Sequence, residues 1–324
     1  MERLEQIKSP IREELKLFES RFKSTMKTNV PLLNIVLRYI LRRKGKQIRP
    51  MFVFLTAKLL GNIKESAYIA ASLIELLHTA TLIHDDVVDD SYKRRGHFSI
   101  NALWKSKLSV LVGDYLLSRG LLLAVENKEY DQLEIVSNAV REMSEGELLQ
   151  VKKSRKIYIT EEEYFEIIRK KTASLIASCT ACGARASMAE ESRIEQFREF
   201  GEKIGLAFQI KDDLLDYQNS SRIGKPTGND IREKKVTLPL IYALNNADEK
   251  AKKALKKVFR KSSKSKGEVQ EIVNFAREHG GIRNAEQTMN NLKNEALSML
   301  EQFEDSDVKS ALTDLINFTV ERNK

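Results

Sequence analysis

Apolar residues recur three and four positions apart along most of the chain, the period of an amphipathic helix. Ser9-Pro10 followed by Glu13 and Glu14 reads as a helix start: a cap, Pro at the first position and acids in the first turn. Residues 29–43 continue with helical spacing and end at Lys44-Gly45, and residues 50–60 stop at Gly61-Asn62. Residues 66–90 are almost wholly apolar and end in acids. Residues 101–126 are similar, with Gly113 and Gly120 suited to close helix approach. Thr160-Glu161-Glu162-Glu163 is a capping box that opens a helix to about residue 184. Further helices are expected over 193–216 and 236–245. Residues 249–324 read as charged amphipathic helix broken at Gly267 and at Gly280-Gly281. No low-complexity linker or short repeat interrupts this, so residues 1–324 are expected to form one all-α domain, a single large helical bundle.

Composition agrees. Only 5 Pro and 14 Gly occur in 324 residues, too few turn formers for a many-stranded protein, and 42% hydrophobic residues suffice for a sizeable core. The net charge of +9 invites a nucleic-acid reading. However, residues 1–60 carry 14 Lys/Arg against 5 Asp/Glu, while the other 264 residues balance at 41 each. A basic run, Lys250 to Lys266, has nine Lys/Arg and no acid, but only Phe259 among them could stack on a base. It reads as a solvated helix face or a mobile surface loop, and no nucleic-acid partner is expected. Cys179 and Cys182 are too few for a disulfide framework. They lie in a small-residue stretch and read as packing residues in a reducing compartment. The charged N-terminus lacks an apolar leader, and the longest uncharged run, Thr172 to Ala184, has 13 residues, so a cytoplasmic protein is expected.

The strongest chemical feature is LIHDDVVDDSYKRRG. Asp85 and Asp89 are four apart, which on a helix places them ~40° apart and ~6 Å along the axis. Two carboxylates on one face repel, and a helix C-terminus worsens this unless a cation neutralises them. Donors of oxygen alone suit Mg²⁺ that also holds substrate phosphates. Arg94 and Arg95 follow, with forks that match phosphate oxygens. A second copy, AFQIKDDLLDY, sets Asp212 and Asp216 four apart. A solvated acidic pair is common by itself. Here, Leu73, Ile74, Leu76, Leu77, Leu82 and Ile83 precede the first copy, so the carboxylates are expected to project from a buried helix.

Other motifs accompany the pair: Gly45-Lys46-Gln47-Ile48-Arg49-Pro50, Arg94-Arg95-Gly96, Lys171-Thr172, Gln209, Gly224-Lys225-Pro226 and Lys235-Val236-Thr237-Leu238-Pro239. In this order, from about residue 40 to 240, they resemble the all-trans polyprenyl diphosphate synthases, most nearly the long-chain octaprenyl type. The resemblance implies an isoprenoid-synthase bundle around a central apolar cavity. It implies a prenyltransferase that condenses isopentenyl diphosphate with an allylic diphosphate, using three Mg²⁺ per active site. By the same resemblance, Asp85, Asp89 and Asp212 hold the metal, and Asp216 reaches it through water. Arg94, Lys171, Lys225 and Lys235 bind the allylic diphosphate. Lys46, Arg49, His78 and Arg95 bind isopentenyl diphosphate, and Thr172 and Gln209 lie beside the reacting carbons. A homodimer is implied, with peripheral membrane association for product release.

Alone, His78 would be read as a core histidine, Thr172 as a residue bonding back to its own helix, and Lys225 and Lys235 as ordinary loop lysines. His84 and Trp104 match no family role and read as packing. The sequence departs from the family pattern at Lys44, Gln47 and Lys234. The last stands where glycine is usual, so a left-handed turn there would be strained. In the family, bulky residues one turn before the first aspartate motif stop the growing tail. Here those positions are Ala80 and Thr81. Small residues imply a tunnel between helices 66–83 and 106–125, with Leu116, Leu117, Leu121 and Leu123 as floor candidates. The implied product has about six to nine isoprene units (about C30–C45), octaprenyl foremost, for quinone side chains. Alternatives are a farnesyl or geranylgeranyl synthase, a terpene cyclase and a non-catalytic partner subunit. Lys46, Arg49 and Arg95 argue against the cyclase, and two intact aspartate motifs argue against the inactive subunit.

Overall fold

The computed structural model describes residues 2–42, 45–94, 96–153, 159–218, 228–261 and 263–321, with only the backbone at position 94. Contacts group the chain into two compact units. The first comprises Met1–Val140, Ser178–Arg198 and Asp305–Leu315, and the second Arg141–Ala177, Glu199–Glu304 and Ile316–Lys324.

The fold is all-α. In chain order the helices are α1 (Glu2–Lys8), α2 (Arg12–Thr25), α3 (Pro31–Arg42), α4 (Ile48–Leu59), α5 (Glu65–Val88), α6 (Ile100–Glu126), α7 (Tyr130–Lys153), α8 (Glu161–Ile168), α9 (Ser174–Ala186), α10 (Glu191–Asp216), α11 (Asn229–Arg232), α12 (Leu238–Asn246), α13 (Glu249–Phe259), α14 (Lys266–Glu278), α15 (Gly281–Ser298) and α16 (Asp307–Val320). The exception among the described residues is a two-residue antiparallel pair, β1 (Lys93–Arg94) with β2 (His97–Phe98).

Most expected elements are present. The differences have local causes. Ser9-Pro10 does not start the first helix; it forms a 3₁₀ turn, Ser9–Ile11, joining α1 to α2. Gly267 does not break the C-terminal region. It lies in the first turn of α14, where Ser265 and Glu268 form a reciprocal capping box. Gly280 does end a helix, at φ 73°. The expected capping box at Thr160 and Glu163 forms with both hydrogen bonds.

In the first unit α5 is buried on nearly all sides, as a helix apolar all round must be. It packs along α6, whose glycines permit the approach. A β-carbon at Gly120 would meet Leu73 and Leu77 at 3.3 Å, and one at Gly113 would overlap the His84 ring. Ala80, Ile83, Leu76, Val112 and Leu116 share a cluster with Met26, Val36 and Leu37, and Trp104 packs against it. Cys179 and Cys182 are buried free thiols, and burial pushes Cys179 up to about 12 and Cys182 well above its ordinary value. That suits packing and not redox chemistry.

The two helices α5 and α6 are long and apolar enough to cross a membrane, with 61% and 33% of their most apolar windows buried inside the protein. Uncharged runs alone miss them, because Glu75 interrupts α5 and Asp114 and Arg119 interrupt α6. In the second unit a core from Tyr164, Ile210, Leu214 and Tyr217 through Leu240 and Ile272 supports α8, α10, α12 and α14. Residues 250–259 of the basic run lie in α13, with Leu255 and Phe259 turned inward.

Candidate active site

In the first unit the aspartate motif ends α5. Asp86 is buried, Asp85 half-buried, and Asp89 and Asp90 exposed. Asp89 caps the helix, donating its N–H to the Asp85 carbonyl at 2.8 Å, and Asp90 takes a left-handed φ of 46°. Short polar side chains tolerate that region better than others. The following loop is closed by Ser99. Its backbone N–H donates to Tyr92 O (2.9 Å) and its hydroxyl to Ser91 O (2.5 Å), while its Oγ accepts from Ala102 N (2.9 Å) to cap α6. Asn101 Nδ2 donates to the Asp86 carbonyl at 3.3 Å. Arg94 lies in β1, and its side chain, Arg95 and Lys225 fall outside the described residues.

Lys46 is exposed just before α4, and Gln47 beside it adopts a left-handed φ of 58°. Arg49 in α4 donates Nε to Glu75 Oε1 of α5 at 2.8 Å, with each side chain 20% exposed. Glu75 was not anticipated. The available signal was an acid standing alone in an apolar run, since a half-buried charge needs a partner. His78 is half-buried two turns before Asp85. His84 Nε2 donates to Val110 O (3.3 Å) and lies 3.4 Å from Asp114 Oδ1, a structural role outside the motifs. Ala80 is buried and Thr81 bonds back to the His78 carbonyl at 2.9 Å. Leu116, Leu117 and Leu123 belong to or pack on the α5–α6 core, whereas Leu121 is exposed on the outer side of α6 and is not a floor candidate.

In the second unit Lys171 and Thr172 lie on a π-helical turn, Arg169–Ala173, set between α8 and α9. Such a turn carries one extra residue and bulges, often at functional sites. Neighbouring helices make room with glycine. A β-carbon at Gly146 of α7 would lie 2.6 Å from Lys171 N, and one at Gly205 of α10 would lie 2.5 Å from the Ala173 Cα. Lys171 Nζ reaches Glu147 Oε1 (2.7 Å) and Gln150 Oε1 (3.0 Å), both on α7. Thr172 Oγ1 donates to Gln209 Oε1 (2.8 Å), and Gln209 Nε2 donates to Asp213 Oδ1 (2.8 Å). Tyr164 OH donates to Asp213 Oδ2 (2.7 Å). Burial lifts Asp213 to about 7, and nearby Asp230 adds to this.

Asp212 is exposed at the end of α10. Both oxygens of Asp216 are taken by backbone donors: Oδ1 accepts from Gly228 N (2.8 Å) and Asn229 N (2.9 Å), and Oδ2 from Asp230 N (3.0 Å). Asp216 thus orients the segment leading into α11. Burial raises both Asp216 and Asp230 from the ordinary aspartate value, and for Asp230 the charge of Asp216 adds to this. Lys235 Nζ pairs with Glu233 (2.7 Å) and Asp230 (3.6 Å). Lys234 has a φ of 60°, the left-handed conformation that a glycine there would take without strain.

The donor set suits Mg²⁺: all the candidate ligands are carboxylate oxygens, and the negative charge that Asp216 places beside Asp230 is one a nearby cation would offset. Among the described residues no three His, Cys, Asp or Glu side chains gather closely enough to hold an ion by themselves. Were Mg²⁺ bound, the rest of its coordination shell would come from water and substrate oxygens, the usual habit of that ion at phosphate sites.

Helices carrying aspartate pairs, lysines and a buried polar cluster define an enzyme of the isoprenoid synthase class, whose all-α fold this is. A model of the polyprenyl synthetase family matches residues 30–276. The chain is 34% identical over 289 residues to the short chain isoprenyl diphosphate synthase of Methanothermobacter thermautotrophicus, covering 88% of each. It is 32% identical over 300 residues to the octaprenyl diphosphate synthase of Escherichia coli, covering 92% of this chain and 93% of the other. It is similar to the crystal structure of a decaprenyl diphosphate synthase from Rhodobacter capsulatus, with a TM-score of 0.92, 34% identity and 99% of each chain covered. The chain therefore belongs to the polyprenyl synthetase family, and its activity is that of a trans-prenyltransferase.

Proposed function

We propose that this enzyme lengthens an allylic diphosphate by successive additions of isopentenyl diphosphate, to a long-chain all-trans product of about C30–C45. The observation that carries the chemistry is the Thr172–Gln209 hydrogen bond on the π-turn, one residue from Lys171 and on the helix that ends in Asp212 and Asp216. Mg²⁺, three ions by family analogy, would be held by Asp85, Asp89 and Asp212, with Asp216 through water, and would neutralise charge on the leaving diphosphate. Arg94, Lys171, Lys225 and Lys235 grip the same leaving group. Lys46, Arg49, His78 and Arg95 hold isopentenyl diphosphate. The allylic carbon–oxygen bond breaks, the isopentenyl double bond attacks the resulting cation, and a proton leaves to restore an allylic diphosphate one unit longer. Thr172 and Gln209 direct oxygen lone pairs at the developing positive charge. No enzyme nucleophile is required.

One functional domain spanning residues 1–324 is supported by the single family match that runs over residues 30–276. The small residues Ala80 and Thr81 support a long product, and quinone side chains are the use inferred from the octaprenyl-type resemblance. A homodimer is supported by α6, where Val110, Leu111, Leu121, Leu122 and Val125 are 38–55% exposed within one arc of the helix. Leu111→Glu with Leu122→Glu should give a monomer in analytical ultracentrifugation; a variant that remains dimeric would move the interface elsewhere. A cytoplasmic enzyme that meets anionic membranes through the basic residues of 250–266 completes the reading.

The deciding assay uses purified protein, Mg²⁺, labelled isopentenyl diphosphate and dimethylallyl, geranyl or farnesyl diphosphate, with products sized by chromatography. Elongation with at least one primer is expected, and none with any primer refutes the function. Ala80→Phe should shorten the product, and Asp85→Ala should lower turnover by several orders of magnitude while the helical spectrum is kept.

A further inference from the structure

The polar chain Thr172–Gln209–Asp213–Tyr164 has a direction. A carboxylate only accepts hydrogen bonds. In its ionised form, which the hydrogen bonds from Gln209 and Tyr164 favour against the rise that burial imposes, Asp213 requires the NH₂ end of Gln209, and the reverse amide orientation would set Oε1 against a carboxylate oxygen. With its NH₂ committed, Gln209 presents Oε1 to Thr172, whose single hydroxyl proton must then be donated there. The lone pairs of the threonine oxygen are left pointing away from the chain. Tyr164 closes the other end by donating to Asp213 Oδ2 from the core, so the carboxylate cannot rotate. Tyr164 and Asp213 are 3% and 5% exposed, sealed from water that could substitute for either partner. Three different helical elements are joined: α8, the π-turn and α10.

We propose that Tyr164 and Asp213 are positioning residues that fix the polarity of Gln209 and Thr172, so that Thr172 meets the allylic cation as an acceptor. Neither need touch substrate or metal, and the inference rests on the prenyl-transfer reading given above. A hydroxyl turned the wrong way would present a proton to a cation and raise the barrier.

The test compares Tyr164→Phe, Asp213→Asn, Gln209→Ala and the double variant Asp213→Asn/Gln209→Ala in the full-length enzyme. Asp213→Asn lets the amide of Gln209 reverse, and kcat should fall about 30- to 100-fold. Tyr164→Phe should lower kcat about 3- to 10-fold. KM for both substrates and the Mg²⁺ concentration for half-maximal rate should move less than about threefold. In the Gln209→Ala background Asp213→Asn should add less than about twofold, because its effect passes through Gln209. Multiplicative losses, or a change confined to KM or to the Mg²⁺ requirement, would overturn the proposal. A second readout does not depend on turnover. In protein labelled with ¹⁵N at glutamine side chains, the Gln209 amide pair, assigned through Gln209→Ala, should shift with Asp213→Asn, Tyr164→Phe and Thr172→Val but not with Glu301→Gln. An unmoved pair refutes the positioning network even in an active enzyme. An inactive wild type refutes the function and leaves the network to be decided by the resonances.

Discussion

Arg49 and Glu75 meet at 2.8 Å across α4 and α5, each four-fifths withdrawn from solvent. The contact leaves the rest of the guanidinium fork to an anion while fixing its root. Glu75→Gln keeps the shape and removes the charge. It should raise KM for isopentenyl diphosphate about fivefold, the loss of roughly 1 kcal/mol of positioning, with a smaller effect on kcat. Steady-state kinetics in both substrates checks this; unchanged KM would mean that Arg49 needs no partner.

Gly146 lies against backbone, which cannot yield as a side-chain tip can. Its added β-carbon would stand 2.6 Å from Lys171 N and 3.0 Å from the Lys171 Cα. Gly146→Ala should therefore cost roughly 1–3 kcal/mol and displace the π-turn, lowering kcat. Gly267→Ala is the control, because the nearest atom, Ser265 Oγ, is 3.8 Å away and the site is helical. That variant should be stabilised by up to about 1 kcal/mol. Thermal melts of both, with elongation rates, separate local crowding from loss of glycine in general.

Lys234 carries a φ of 60° one residue before Lys235. Lys234→Gly should relieve about 1 kcal/mol of backbone strain. A higher melting temperature is expected, with elongation kept or improved because the turn presenting Lys235 is unchanged. A lower melting temperature would show that the lysine side chain offsets the strain.

Glu268 is held down to about 2, chiefly by its hydrogen bond from Lys261 and then by the Ser265 backbone N–H. A carboxylate with a depressed folded pKa adds stability above its ordinary value of 4.5 and loses it as pH falls toward 2. The melting-temperature difference between wild type and Glu268→Gln should be constant above about pH 5 and shrink between pH 4.5 and 2. A difference that does not vary with pH would place the effect in shape and not in charge. The pair is partly exposed, with the Lys261 side chain half accessible, so added salt should also reduce it.

Local signals were legible where one turn of chain suffices to form them. The Thr160–Glu163 box, the glycines of α6 and the end at Gly280 all depend on residues within four positions, or on helical period alone. The Ser265–Glu268 box was equally local, but the glycine inside it drew the boundary to the wrong place. The extra residue at Arg169–Ala173 left no mark in the pattern, because a π-turn shifts the period by one residue and resumes it. What makes it tolerable is Gly146 and Gly205, 25 and 32 positions from Lys171 and Ala173 respectively.

The sequence by itself determined the helical class, the aspartate pairs with their oxygen-only donor chemistry, and the order of motifs that marks the family. These are set by composition and by spacing along one helix. Tertiary structure alone decided which partner each of those side chains keeps. Arg49 is held by Glu75, Lys171 by Glu147 and Gln150, and Asp216 spends its oxygens on the backbone of residues 228–230. Gln209 is oriented by a carboxylate that a core tyrosine locks from 49 positions away. The reason is physical: a half-buried polar group must find a partner among whatever packing brings near, and packing is not periodic in sequence.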